Sequence, residues 1–448
     1  MTPELSLHQL ADLLGITCTA SDNILSQKIN NVVTDSRTLK AGDLFVALRG
    51  ERFDGHDFLA TAEQAGARAA VIAEGVTWTG EMPVLPVADT LTAYQRIGRW
   101  WREQFTLPVI GLTGSVGKTT TKELLAAVLG TRGRVLKTEK NYNNEIGVPK
   151  TLLGLTNDHD YAVVEMAMRG RGQIAELTEI ARPTIGLITN VGTAHIGLLG
   201  SEQAIAEAKC ELLATMPKTS IAVLNADNER LMKTAAQVWQ GETVTYGLTG
   251  GDVRGTLGEG QVLEVEGMRL PLPLPGEHNA SNFLAALAVA KVLGVDWTPL
   301  QEGLVVELPG GRAKRYDLPG GVTVLDETYN AGYESMIAAL RLLKETPGAR
   351  HIAVLGTMKE LGPQSAALHR RVGEMVQGLK LDYLLVLVDD PEAEAIAQAA
   401  PQIPQQCYTT HAELLSALKN LLQPGDTVLF KASNSVGLSQ VVQLIIEN

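Results

Sequence analysis

Three observations predict an α/β fold in three blocks. Apolar strand-like runs alternate with amphipathic helical stretches through most of the 448 residues. A glycine-rich turn joins one such run directly to a helix at PVIGLTGSVGKTTTKELLAAVLG. A further series of strand–helix alternations begins near GGRAKRYDLPGG. Length agrees, because a chain of this size outgrows a single hydrophobic core and calls for two to four domains.

The first block, 1–106, is expected to be the smaller N-terminal α/β domain. Its strands are NNVVTDSR, DLFVALRG and AAVIAE, its helix is HDFLATAEQAGA, and TLTAYQRIGRWWREQF closes it. The second block, 107–313, adds buried-looking strands at YAVVEMAM, TIGLITNVG and SIAVLNADN. Strands in alternation with helices predict a parallel sheet covered on both faces. Residues 241–275, with short alternating runs and many Gly and Pro, read as a small β appendage. The helix NASNFLAALAVAKVLG follows it. The third block, 314–448, repeats the alternation from VTVLDETY to VVQLIIEN and reads as a Rossmann-like domain. It carries GTMKELG in place of G-x-G-x-x-G, so no nicotinamide cofactor is indicated. Ligands in such sheets sit at strand C-termini, which points to DETYN, GTMKELG and KASNS.

Composition excludes several classes of function. Hydrophobic residues make up 45% and charged residues 20%, the balance of a soluble globular chain. A net charge of −12 argues against nucleic acid or an anionic membrane as the main partner. A phosphate ligand stays open, since it needs only local backbone donors and a few cations. Cys18, Cys210 and Cys407 are widely spaced and odd in number, which suits a reducing cytosol. MTPELSLHQLADLLG lacks a basic head before an apolar run, so no signal peptide is expected. No uninterrupted apolar stretch of roughly 18 residues occurs, so no membrane insertion is expected. The expected location is the cytoplasm and the expected assembly a monomer.

The strongest local signal is Gly114-Ser115-Val116-Gly117-Lys118-Thr119-Thr120, set between a strand and a helix as a P-loop requires. Glycines let successive N–H groups turn onto phosphate oxygens, and the helix N-terminus adds partial positive charge. Lys118 is then placed for the β/γ-phosphates and the Thr119 hydroxyl for Mg²⁺. Position 112 is Leu where the strict pattern has Gly, so the loop is a shortened variant. The central block therefore reads as a P-loop parallel-sheet ATPase domain.

TGSVGKTTTKE followed by NYNNEIGVPKTLL resembles the opening signature of the Mur ligase superfamily, which also includes folylpolyglutamate synthetases. VVEMAM, TNVGTAHI, EAKCELL, LNADN, PGEHNASNFLAAL, GGR and DETYN follow in the same order, over nearly the whole chain. VTDSRTLKAGDLFVALRGERFDGHDF, LDETYNAGYESM and GTMKELG resemble the MurF type. The resemblance implies an ATP-dependent acid–D-amino-acid ligase of peptidoglycan precursor synthesis, releasing ADP and phosphate. Its implied substrates are UDP-MurNAc-tripeptide and D-Ala-D-Ala. The first domain would take the UDP substrate, the second ATP, and the third the incoming dipeptide. Two departures fall in the third domain: Ala432 and Asn434 in KASNS, where the family has Gly and Arg, and Gly332, where Asn is more usual.

Carried onto this chain, the resemblance implies a set of roles, each beside a plainer alternative. Glu165 ends a strand, as a metal ligand or as a solvent cap. His195 is a loop residue that the family uses for a second Mg²⁺. Lys209 looks like a solvated helix lysine, yet the family's equivalent is carbamylated by CO₂ and becomes an anion beside the metal. Asn279 and Asn282 share a helix face for adenine, although Asn279 could be an N-cap. Arg312 follows two glycines, either reaching phosphate on domain closure or idle in a hinge. Asp326 resembles the ribose-binding acid. Asn143 and Asn144 would place the substrate near the reacting carboxylate. Asp35, Ser36 and Arg37 would meet the UDP-sugar, unless the first two only cap a turn. Glu51 and Arg52 are weaker members of that set, and Tyr329 and Asn330 belong to the dipeptide side. The alternative activities are another Mur-type or folylpolyglutamate-type amino acid ligase, a P-loop switch, and a degenerate homologue.

Overall fold

A computed structural model describes residues 4–16 and 22–447; Cys18 lies outside them. The described residues form three main sheets and a short antiparallel pair, Leu5–Ser6 with Lys28–Ile29. Strands Val32–Val33, Leu44–Val46, Ala69–Ala73 and Val84–Val87 run parallel in that order. Pro86 falls on the edge strand, where a missing N–H costs no ladder bond. Helix Thr90–Glu103 starts at Asp89, whose carboxylate accepts from Thr92 N–H. It buries Ala93, Tyr94 and Ile97 in the N-terminal core. Its other side ties into the central domain, where Trp101 donates to Leu155 O and buried Arg102 to Ala181 O.

The central sheet has nine strands. Strands Val135–Lys137, Tyr161–Glu165, Val109–Thr113, Ile185–Ile188, Ile221–Asn225 and Thr243–Gly247 lie side by side, all parallel. Val253–Gly258 pairs parallel with Thr243–Gly247, and Val262–Val265 and Met268–Pro271 complete an antiparallel edge. Residues expected to form a separate appendage thus extend the main sheet. They do so because Val253, Leu263, Val265 and Leu270 turn one apolar face under helix Glu277–Val292. That helix is apolar on nearly every side and buried along its length. Gly255 on the strand makes room for it: a Cβ there would lie 2.9 Å from Leu284 Cδ2 of the helix.

Helix Lys118–Gly130 leaves strand Val109–Thr113, the third of the nine strands from the Val135–Lys137 edge. Tyr161–Glu165 flanks that strand on one side and Ile185–Ile188 on the other. Strand order reverses there, at the position where open α/β sheets bind ligands.

The C-terminal sheet is ordered Lys314–Asp317, Thr323–Asp326, Asp426–Lys431, Arg350–Gly356, Tyr383–Leu387, Gln405–Tyr408, and all but the first pairing are parallel. The loops after Gly356 and Lys431 meet at its switch point. Ser433 N–H donates to Thr357 O, and Lys359 N–H to Ser433 Oγ. One apolar cluster runs from Val191 and Ile196 of the central domain into Met358 and Leu361 of the C-terminal one, which holds the two strand-end faces opposite each other.

Candidate active site

The opposed faces enclose a cleft of 1610 Å³, with lining residues from all three sheets' loops. The glycine-rich loop forms its floor. Gly114 and Gly117 both have positive φ, at 156° and 82°. A Cβ at Gly114 would lie 1.8 Å from Thr189 Oγ1, and one at Gly117 would lie 2.5 Å from Asn282 Oδ1. Asn190, from the neighbouring strand end, clamps Val116 by accepting from its N–H and donating to its carbonyl. Ser115 Oγ accepts from Gly192 N–H. The amides of Lys118, Thr119 and Thr120 open the helix with no partner inside it. Lys118 Nζ donates to Gly114 O at 2.8 Å, and burial holds its pKa below the ordinary lysine value. The cradle is therefore built and its anion donors are unclaimed, which fits a nucleotide phosphate.

On one flank, Glu165 Oε1 accepts from Asn143 Nδ2 at 2.8 Å and from Thr119 Oγ1 at 3.3 Å. Its Oε2 is buried with no hydrogen-bond partner; the Lys122 ammonium lies 3.9 Å away. A buried carboxylate oxygen without a hydrogen-bond partner, beside a P-loop hydroxyl, fits a hard cation shared with phosphates. Asn144 Oδ1 accepts from Gly147 N–H, so its amide nitrogen is the part left for the cleft.

On the other flank is His195, at φ 65°. Its pKa is held below the ordinary value, first by burial and then by the Lys118 charge, with Glu360 opposing. Its Nδ1 is 2.5 Å from Glu360 Oε2. Lys209 lies behind it on helix Glu202–Thr215, 2% exposed and outside the lining of the cleft. No hydrogen bond or ion pair engages its Nζ among the described residues. Burial, with the Lys118 charge, holds its pKa well below the lysine value. A surface lysine is thus not what the fold makes of it.

Asn279 and Asn282 are both buried and both line the cleft. Gly276, not Asn279, caps their helix; Asn279 Nδ2 donates to Pro275 O and Asn282 Oδ1 accepts from Thr121 Oγ1. Arg312 lines the cleft with its guanidinium 3.7 Å from the centre of the Tyr329 ring and with Nε unpartnered. Asn330 also lines it, and its carbonyl accepts from Lys431 Nζ at 3.0 Å. Asp326 does not reach the cleft lining: it is buried, and Oδ1 accepts from both Thr328 N–H and Thr328 Oγ1. At Gly332 the Ser335 hydroxyl supplies the cap that the glycine lacks.

In the N-terminal domain, Asp35 lines the cleft and also caps the turn Ser36–Thr38. The hydrogen bonds from Arg37 lower its pKa to about 2. Ser36, Arg37, Glu51 and Arg52 lie outside the lining.

Family descriptions match in order along the chain: the Mur ligase family catalytic domain over residues 28–94, the Mur ligase middle domain over 112–290, and the Mur ligase glutamate ligase domain over 311–434. The chain is 60% identical to a UDP-N-acetylmuramoyl-tripeptide–D-alanyl-D-alanine ligase of Synechocystis sp., over 100% of this chain and 99% of that one. The chain belongs to the Mur ligase family. A ligase of the same description from Escherichia coli is 36% identical over 99% of this Mur ligase and 98% of its own length. Among solved structures, MurF from Acinetobacter baumannii superposes with a TM-score of 0.88 at 32% identity, covering 100% of both chains. The MurF ligase of Thermotoga maritima in complex with ADP gives 0.84 at 31% identity, over 96% of this chain and 99% of that one.

This Mur ligase also places in its cleft several groups that sequence reasoning did not single out. Asn190 stands inside TNVGTAHI, where its pairing with Val116 is not written in any spacing. Glu327, Lys359, Glu360 and Lys431 come from the flagged segments DETYN, GTMKELG and KASNS. Glu334, from the first turn of the next helix, accepts from Thr193 N–H and Oγ1. His278 has its pKa pushed down to about 4, by burial and then by the Lys431 charge.

Proposed function

We propose that this Mur ligase is an ATP-dependent peptide ligase adding D-Ala-D-Ala to UDP-MurNAc-tripeptide in peptidoglycan precursor synthesis. The observation that carries it is end-to-end likeness to the Synechocystis ligase, in a chain whose phosphate cradle faces the C-terminal domain's strand ends across one cleft. A carboxylate and an ammonium do not condense in water, because oxide is a poor leaving group. In the proposed course, an oxygen of the tripeptide's terminal carboxylate attacks the γ-phosphorus and ADP leaves. The dipeptide's deprotonated amine then attacks the acyl carbon. Phosphate departs with that oxygen as the C–N bond forms.

The chain's own groups divide the work. The amides of Lys118, Thr119 and Thr120 hold phosphate oxygens, and the Lys118 and Arg312 cations offset charge on the transferring group. Asn279 and Asn282 serve the nucleoside; Asp326, engaged by Thr328 outside the cleft lining, is not assigned to it. Asn143 and Asn144 hold the acid near the phosphate. Tyr329 and Asn330 face the dipeptide, and Asp35 the UDP-sugar; Ser36, Arg37 and Glu51, outside the cleft lining, are not assigned to it. Thr119, Glu165 and His195 would hold Mg²⁺, which when bound screens the phosphate charge. The Lys209 side chain, 2% exposed and in no ion pair among the described residues, supports its carbamylation: CO₂ adds to Nζ with loss of a proton and leaves an anion toward the metal. The domain roles follow: 1–106 for the UDP substrate, 107–313 for ATP, 314–448 for the dipeptide. No helix among the described residues is long and apolar enough to cross a membrane; action as a cytoplasmic monomer is part of the proposal.

The test offers D-Ala-D-Ala, meso-diaminopimelate and glutamate separately with UDP-MurNAc-tripeptide and ATP, following phosphate release and product mass. D-Ala-D-Ala should be preferred, and preference for either of the others rejects the assignment. Carbamylation is tested by ¹³C-bicarbonate NMR, where a carbamate signal lost in Lys209→Ala is expected.

A further inference from the structure

Two carboxylates of the C-terminal domain reach into the loop that carries His195. Glu334 takes Thr193 N–H at 2.7 Å and Thr193 Oγ1 at 3.1 Å. Glu360 meets His195 Nδ1 at 2.5 Å, and its backbone carbonyl accepts from Gly197 N–H at 3.0 Å. The loop has glycine where these groups press on it. A Cβ at Gly192 would lie 2.5 Å from Glu334 Oε1, and one at Gly197 would lie 2.5 Å from Gly362 N. His195 and Glu360 are themselves non-glycine residues at φ 65° and 64°. Left-handed backbone is unfavourable for both residue types, and its occurrence at two residues facing each other across a domain boundary marks a built contact.

We propose that Glu360 is the positioning residue for His195, so that His195 is aimed into the cleft only while the central and C-terminal domains are docked. With Nδ1–H donated to Glu360, the ring is fixed in the tautomer whose lone pair is on Nε2. The carboxylate that fixes it belongs to the domain that delivers the dipeptide. An undocked chain can bind nucleotide through the loop around Lys118, but its imidazole is free to rotate. Phosphoryl transfer is thereby tied to arrival of the domain bearing the amine. This rests on the reading of His195 as a metal ligand.

The test uses Mn²⁺ as the probe, with the full chain and saturating ADP, and reads free Mn²⁺ by electron paramagnetic resonance without turnover. Wild type, His195→Ala and Glu360→Gln are compared. Glu360→Gln is expected to weaken Mn²⁺ binding about 10- to 100-fold, the usual cost of losing a ligand's carboxylate partner. Its kcat should fall while KM for ATP changes less than about threefold, because the phosphate cradle does not touch Glu360. If His195→Ala weakens Mn²⁺ binding and Glu360→Gln does not, the inference is overturned and the metal-ligand reading stands. If neither weakens it, the reading of His195 is wrong and the inference falls with it. Should Glu360→Gln not fold, Glu360→Asp takes its place with the same readouts, its carboxylate lying one methylene short of the ring.

Discussion

Gly117→Ala puts the architecture of the phosphate cradle to a direct test. Gly117 sits at φ 82°, where an alanine costs about 1–2 kcal/mol. Its new methyl would stand 2.5 Å from Asn282 Oδ1 and 3.2 Å from Asn282 Cγ, so one side must move. If Asn282 rotates away, it gives up the bond from Thr121 Oγ1 at 3.2 Å and the longer one to Asn279 at 3.4 Å. Each is worth about 0.5–1.5 kcal/mol at most. If the loop moves, the helix-opening amides leave the positions that face phosphate. In the first case the penalty sums to about 2–5 kcal/mol. It should be divided between a lower Tm and an ADP affinity weakened about 10- to 100-fold, since each 1.4 kcal/mol is tenfold. Calorimetric titration of ADP and thermal unfolding of the same preparation measure both parts. Unchanged affinity with unchanged Tm would show that neither the φ nor the Asn282 contact constrains the loop, and the account of the cradle would be wrong.

Three further outcomes are expected. Lys122→Met removes a buried ammonium 3.1 Å from Glu123 Oε1 and 3.9 Å from Glu165 Oε2; breaking this buried set should cost about 3–5 kcal/mol in denaturant unfolding, and a loss below 1 kcal/mol would count against it. Gly197→Ala sets a methyl 2.5 Å from Gly362 N, so domain docking should weaken, with ADP affinity unchanged and a larger radius of gyration by X-ray scattering. His278, with a folded pKa of about 4 against 6.5, resists the proton that the unfolded chain accepts. Its contribution is therefore complete above pH 6.5 and is lost as pH falls toward 4, by about 3 kcal/mol. Unfolding titrations across that window should show a shallower decline for His278→Gln, and identical slopes would refute the assignment.

What could be read from the sequence follows from how local each signal is. The P-loop, its strand and its helix are contiguous, and the apolar period of the strands Tyr161–Glu165 and Ile185–Ile188 is carried by their own residues. Val84–Val87 gives little local signal because it is short and holds Pro86; Gln405–Tyr408 gives little because an edge strand needs few apolar residues. Helix Leu7–Leu14 carries its own local signals: Leu7, Leu10, Ala11 and Leu14 share its buried face, and Ser6 with Gln9 forms a capping box. The sheet extension at Val253–Pro271 depends on a helix that comes later in the chain, so its texture suggested an appendage.

The site divides the same way. Thr119, Asn143 and Glu165 meet through hydrogen bonds, an association that the spacing of their three segments does not state. By residue type alone Lys209 reads as solvated, and only the resemblance moves it to the metal side; its burial is set by strands and helices far from it in sequence. Glu334 and Glu360 find partners 141 and 165 residues away. Only the docking of two domains creates those contacts, so no motif or period announces them.

The central claim is the transfer of phosphate to the acid, and oxygen labelling tests it most directly. UDP-MurNAc-tripeptide carrying ¹⁸O in the reacting carboxylate is turned over with ATP and D-Ala-D-Ala, and the released phosphate is weighed by mass spectrometry. Phosphorylation of the carboxylate predicts that each phosphate carries one ¹⁸O, the other label staying in the new amide. Unlabelled phosphate alongside normal amide formation would mean that the carboxylate oxygen never bonds to phosphorus, and the proposed route would be contradicted.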